Sequence, residues 1–100
     1  MATLEILMRA LTWDDFADGT GSVYVVAVGE EQVELTLDQA KEIASAGRAG
    51  GSFRLEFLGP SDPVLPQACY PVRFGDEMID IFMVPVSADR TGARYEAIFY

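Results

Sequence analysis

The chain has 100 residues, half of them apolar, with 16 acids against 7 bases and no histidine, giving a net charge of −9. That length is one domain's worth, able to bury roughly two thirds of its unfolded surface, and the apolar content argues against intrinsic disorder. The charge argues against nucleic acid and anionic membrane as partners, the lack of histidine excludes an imidazole base or a His-rich metal site, and the single cysteine, Cys69, excludes an internal disulfide.

Residues 1–100 read as a single domain with a lead-in over 1–10. In that lead-in Leu4, Leu7, Met8 and Leu11 are spaced as a helical face, while Leu4 and Ile6 also fit a short strand; of the two, a helical or irregular segment is expected. A short helix is predicted near 12–18. Thr12 is its expected N-cap, Asp14 and Asp15 favour the positive end of the helix dipole, and Gly19 is placed to end it in a left-handed conformation. Asp14, Asp15 and Asp18 lack the alternating spacing of a calcium loop, which favours capping over cation binding.

Strands follow. Val23, Val25 and Ala27 alternate with Tyr24, Val26 and Val28, and a connection at Gly29-Glu30-Glu31 leads into Gln32–Leu37, where Val33, Leu35 and Leu37 share one face. Asp38–Ala46 is ambiguous. Leu37, Ala40, Ile43 and Ala44 fit a short helix, while the alternative is a bulged continuation of the strand with Lys41 and Glu42 at the rim. Phe53, Leu55 and Phe57 mark an inward face over Ser52–Leu58. Gly59–Pro66 is a proline-stiffened crossing. Ala68–Phe74 places Tyr70, Val72 and Phe74 together, and Pro71 removes a ladder donor, which marks an edge or a strand end. Gly75-Asp76 makes a tight turn into Glu77–Val86, the longest apolar run.

That run is too short for a membrane span, which needs roughly 20 residues, so no membrane insertion is expected. Ile79, Ile81 and Met83 point one way, and Asp80, Phe82, Val84 and Val86 the other. Asp80 is expected on the outer face. A last strand runs from Ala93 to Tyr100, with Glu96, Ile98 and Tyr100 on one side and Tyr95, Ala97 and Phe99 on the other. The fold class is therefore all-β, mainly antiparallel: a compact β-barrel or two-sheet sandwich of roughly six to seven short strands with one short N-terminal helix.

Chemistry is sparse. Cys69, beside an aromatic strand position, reads as a small buried hydrophobe, with no histidine to activate it as a nucleophile. The glycines of Gly47–Gly51 lack the spacing that cradles a phosphate. No catalytic residue, metal ligand or cofactor is assigned, and no enzymatic activity is expected. A basic leader followed by an apolar segment is not visible, so synthesis in the cytoplasm is expected, which leaves incorporation into a particle or fibre open.

Four stretches carry a resemblance. They are Leu11-Thr12-Trp13-Asp14-Asp15-Phe16, Val33–Leu37, Phe57–Gln67 with its Gly-Pro-x-Asp-Pro-x-Leu-Pro-Gln centre, and Arg94-Tyr95-Glu96-Ala97-Ile98-Phe99; Gly21, Tyr24 and Tyr70 match as well. Through them the chain resembles a family of small bacterial proteins of unknown function, some encoded near phage-tail-collar-like genes. The resemblance implies a strand through Asp38–Ile43 and no catalytic residues, and it hints at a particle or fibre component. The resulting expectation is a non-enzymatic structural or assembly protein that associates with itself or another protein through its β-structure. The candidate interface is Phe82, Val84, Val86, Ile98 and Tyr100. The alternative is a small-ligand or carbohydrate-binding module, with Trp13, Tyr24, Tyr70, Tyr95 and Tyr100 as stacking faces.

Overall fold

The structure, a computed structural model, describes residues 5–6, 13–43 and 52–99, apart from the side chains of Glu5, Ile6 and Phe74. Its elements are β1 (Glu5–Ile6), α1 (Asp14–Ala17), β2 (Val23–Val28), β3 (Glu31–Ile43), β4 (Ser52–Gly59), β5 (Ala68–Phe74), β6 (Glu77–Asp89) and β7 (Gly92–Phe99). The sheet runs β6–β5–β2–β3–β4–β7, and a further pairing of β6 with β7 closes it into a six-stranded barrel. All six pairings around the barrel are antiparallel. Between the two expected architectures the molecule is thus the barrel. Closure removes the free edges that an open sheet would expose. The lead-in contributes β1, paired parallel to β6 at Glu77 and Met78, as the short-strand alternative has it and not the helical or irregular segment that was expected. Leu4, Leu7, Met8 and Leu11 lie outside the described residues.

The inward side chains follow the alternation of the strands. Tyr24 and Val26, Val33, Leu35 and Leu37, Phe53, Leu55 and Phe57, Tyr70 and Val72, Ile79, Ile81 and Met83, and Ala93, Tyr95 and Ala97 make one buried core. Helix α1 stoppers one end. Its Phe16 is fully buried, with its ring centroid 5.6 Å from that of Phe53 and 6.2 Å from those of Tyr24 and Phe99. Phe53 and Phe99 stack at 4.5 Å. The opposite end is closed by the crossing between β4 and β5, where Leu65 is buried and its N–H donates to the Tyr95 hydroxyl at 2.7 Å. The Tyr70 hydroxyl donates to the Pro66 carbonyl nearby.

The helix start differs from expectation. Trp13, not Thr12, holds the N-cap position and makes no side-chain cap bond; its carbonyl accepts the N–H groups of Phe16 and Ala17 at 3.0 and 2.9 Å. Thr12 lies outside the described residues. Packing decides here: the Trp13 indole lies against the core and its Nε1–H donates to the Ala40 carbonyl at 2.9 Å. Gly19 is not left-handed either; that conformation falls to Gly21, at φ 91°. At Gly19 a Cβ would stand 3.2 Å from the Tyr24 hydroxyl and 3.3 Å from the Phe16 carbonyl, so it is close approach that favours glycine.

Strand β3 continues through Ile43, as the bulged-strand alternative has it. Leu37 faces Phe57 and Gln39 faces Glu56, leaving Asp38 as the inserted residue. A second irregularity lies in β6, where Pro85 faces Tyr95 and Ser87 faces Arg94, leaving Val86 over. Each bulge bends and twists its strand locally, which helps to wrap a sheet into a small barrel. Within the barrel strand β6 thereby serves two neighbours, Glu77–Met83 pairing with β5 and Val84–Asp89 with β7, while β1 adds to its other side at Glu77 and Met78.

Pro71 also marks a local end of pairing. Strand β5 meets β2 only through Arg73 with Val25 and Val72 with Val26. Continuing that register would set Pro71, which has no N–H, opposite Ala27, and the ladder stops one residue short.

Candidate functional site

The candidate interface starts from β6. With Ile79, Ile81 and Met83 committed to the core, the pleat sends Asp80, Phe82 and Val84 to the outer face. Asp80 is exposed there, as expected. Phe82 is 48% exposed, and Val86, as the bulge residue, 50%. Val84 is half-buried opposite Glu96 on β7. Ile98, two residues beyond Glu96 on the same face, is 36% exposed. Tyr100 lies outside the described residues. Four of the five candidate residues therefore share the outer face around the β6–β7 junction.

Cys69 belongs to this face too. It is exposed and stands opposite Phe82, where a buried position was expected. The physical reason is alternation: Tyr70 and Val72 take the inward positions on β5, which turns Cys69 outward.

The surroundings of the strip are charged. The Arg94 guanidinium donates to the Asp38 carboxylate at 3.0 Å and lies 3.8 Å from Glu56, while Arg54 stands 3.7 Å from Glu96. These part-exposed pairs each contribute little to stability, of order 0–1 kcal/mol. They do fix where charge sits, by holding two arginines against acids of the same wall.

Of the aromatic residues expected to offer stacking faces, Tyr24, Tyr70 and Tyr95 do not come to the surface, Trp13 does so only in part, and Tyr100 lies outside the described residues. Tyr24 and Tyr95 are fully buried and Tyr70 nearly so, and the Trp13 indole is half-buried with its N–H engaged. Desolvation pushes the Tyr24 phenol up to about 12. Burial, and to a lesser extent the neighbouring Tyr95, raises Tyr70. These are core tyrosines, and the shared face of Tyr24 with Val26 and of Tyr70 with Val72 was the signal that places them inside. A hollow of about 260 Å³ lies by the β6–β7 turn, lined mainly by Leu58, Gly59, Ser87, Asp89, Thr91 and Arg94, without an aromatic platform. Asp89 accepts bonds from the Thr91 hydroxyl at 2.5 Å and N–H at 2.8 Å, which hold its carboxyl below the usual carboxylate range. This is a turn-stabilising arrangement at an exposed hairpin tip. Among the described residues, no group of three or more His, Cys, Asp or Glu is placed to hold a metal, and no helix is long and apolar enough to cross a membrane.

Fold and surface together define a closed, acidic β-barrel that carries an apolar strip on one outer wall. Residues 11–99 match the domain of unknown function DUF6916, and the chain belongs to that family. No curated protein and no solved structure matches it significantly.

Proposed function

We propose that this protein is a non-enzymatic structural or assembly component that acts by associating, through the outer face of its β-barrel, with another copy or another protein. The observation that carries this reading is the strip of Phe82, Val84, Val86 and Ile98. Singly scattered apolar residues on a surface need no explanation, but several gathered on one outer face beside polar neighbours fit an interaction site. The resemblance to proteins encoded near phage-tail-collar-like genes extends the reading to a component of a tail-like particle or fibre. The small-ligand alternative loses its main support, because Tyr24, Tyr70 and Tyr95 face the core.

The test is size-exclusion chromatography and negative-stain microscopy of the protein drawn from its own cells, as wild type and as the double variant Phe82→Ser/Val86→Ser. Wild type migrating in an assembly larger than one chain, and the variant as a monomer, is the expected result. Both migrating as monomers overturns the proposal. Truncating the last strand is the wrong probe, since Ala97 is buried and Phe99 stacks on Phe53, so truncation would unfold the barrel.

A further inference from the structure

We infer that the β5–β6 hairpin is a flap in the barrel wall, which swings away from β2 as one piece while β2, β3, β4 and β7 stay together. The opening belongs to the barrel itself and does not depend on what docks on its outer face.

The hairpin's hold on β2 is short. The two strands share only Val25 with Arg73 and Val26 with Val72, whereas β2 meets β3 through six pairs and β4 meets β3 and β7 through seven each. Pro71 has no N–H with which to extend the seam. Seven pairs bind the hairpin internally, so it can move without coming apart. Both of its ends can give. On the β6 side the strand changes neighbour between Met83, which faces Ala68, and Val84, which faces Glu96. The bulge at Val86 follows directly, and a bulge is where a strand bends. Among the described residues β1 pairs with β6 alone, at Glu77 and Met78, so it can travel with the hairpin.

On the β5 side, Pro60, Ser61, Asp62, Pro63 and Val64 are exposed and outside any strand. The latch lies just past them. Tyr70, on the hairpin, donates its hydroxyl to the Pro66 carbonyl, so Pro66 goes with the flap. The N–H of Leu65, a buried residue, donates instead to the hydroxyl of Tyr95 on β7, at 2.7 Å. Opening therefore pulls Leu65 off Tyr95. Packing divides along the same line. The rings of Phe16, Tyr24, Phe53, Phe57 and Phe99 meet one another away from the hairpin, which fills its side of the core with Tyr70, Val72, Ile79, Ile81 and Met83. A unit tied to the rest by few bonds opens at lower cost than the whole fold. Its opening bares the inner face of the hairpin and the facing backbone edges of β2 and β5.

The first test is amide hydrogen exchange of the unmodified chain in water and in urea below its unfolding transition. The Leu65 N–H should exchange at least about tenfold faster than the amides of the β3–β4 ladder, and with a weaker urea dependence, because a flap exposes less surface than global unfolding does. The second test sets a thiol on the flap's inner face. Cys69→Ser/Val72→Cys, at a fully buried position of β5, is compared with Cys69→Ser/Leu35→Cys, at a fully buried position of β3. A disulfide reagent should modify position 72 at least about tenfold faster than that variant's own unfolding equilibrium allows, and position 35 only as fast as its variant unfolds. Adding Tyr95→Phe, which removes the latch oxygen and keeps the ring, should speed modification at 72 well beyond its effect on global unfolding. Leu65 and the ladder exchanging together with one urea slope overturns the inference. So does modification at 72 that keeps pace with unfolding or is matched at 35, or a Tyr95→Phe change that speeds both positions alike.

Discussion

Two parts of the barrel wall are built differently. Strands β2, β3, β4 and β7 form a continuous ladder, with six register pairs between β2 and β3 and seven each between β3 and β4 and between β4 and β7. The β5–β6 hairpin is equally regular within itself, with seven pairs, yet β5 joins β2 by only two. The same core lies behind both. The large aromatic rings Tyr24, Phe53, Phe57 and Tyr95 all come from the ladder, whereas the hairpin contributes Tyr70, Val72, Ile79, Ile81 and Met83. The difference teaches that closure here depends more on side-chain packing than on backbone pairing at the β2–β5 seam. It also puts the outward strip, most of it on β6, on the hairpin's side of the molecule.

The strongest way to break this contrast is at the aromatic end of the ladder. Phe53→Ala removes a fully buried ring that stacks on Phe99 and meets Phe16, and should lower stability by about 3–5 kcal/mol, measured by urea unfolding. A loss below about 1 kcal/mol would show that the ladder does not depend on its aromatic filling.

Alkaline pH comes next. The Tyr24 phenol ionises near pH 12 in the folded chain against 10.0 unperturbed, so the unfolded chain releases its proton first. The stabilising contribution of the neutral phenol is complete below pH 10 and is lost as pH rises towards 12, with a slope of up to about 1.4 kcal/mol per pH unit. Tyr70 is shifted in the same direction and adds to the fall. Unfolding midpoints measured from pH 8 upwards should be level and then drop, and Tyr24→Phe should flatten the drop. A wild-type curve that stays level to pH 12 would contradict the burial of these phenols.

The smallest effect sharpens the comparison at the seam. Pro71→Val restores an N–H opposite Ala27 and should extend the β2–β5 ladder by one pair, for a gain of about 0.5–1.5 kcal/mol less the stiffness of proline, about 0.4–1 kcal/mol. Stability will therefore hardly move. The informative signal is hydrogen exchange: the new amide at position 71 should be protected, and rapid exchange there would mean the strands diverge for another reason.

These contrasts show which parts of the molecule were legible in the sequence. Strands with strict alternation, such as Val33–Leu37 and Phe53–Phe57, and the Gly75-Asp76 turn declare themselves, because each signal is local. The second half of β3 did not. The bulge at Asp38 sets the inward residues Leu37 and Ala40 three apart, and that spacing imitates the face of a helix. Closure was hidden as well, since the pairing of β7 with both β4 and β6 depends on strands distant in sequence. In the candidate site, the outward register of Phe82 and Val84 followed from the pleat. The positions of Cys69 and the tyrosines did not follow from residue type, because a cysteine or a tyrosine suits either face of a strand and only the register of Val72 and Val26 beside them fixes which.

The bulge at Asp38 has a genetic corollary. Every residue after it in β3 keeps its inward or outward assignment whether the inserted position holds aspartate or another side chain, so substitutions there should cost little beyond the bond to Arg94. Removing the position altogether leaves Ala40 facing inward but straightens a strand that now bends. At this place the length of the chain matters more than its spelling: an in-frame deletion of a single codon would disturb the curvature of the barrel where a missense change at the same codon would not.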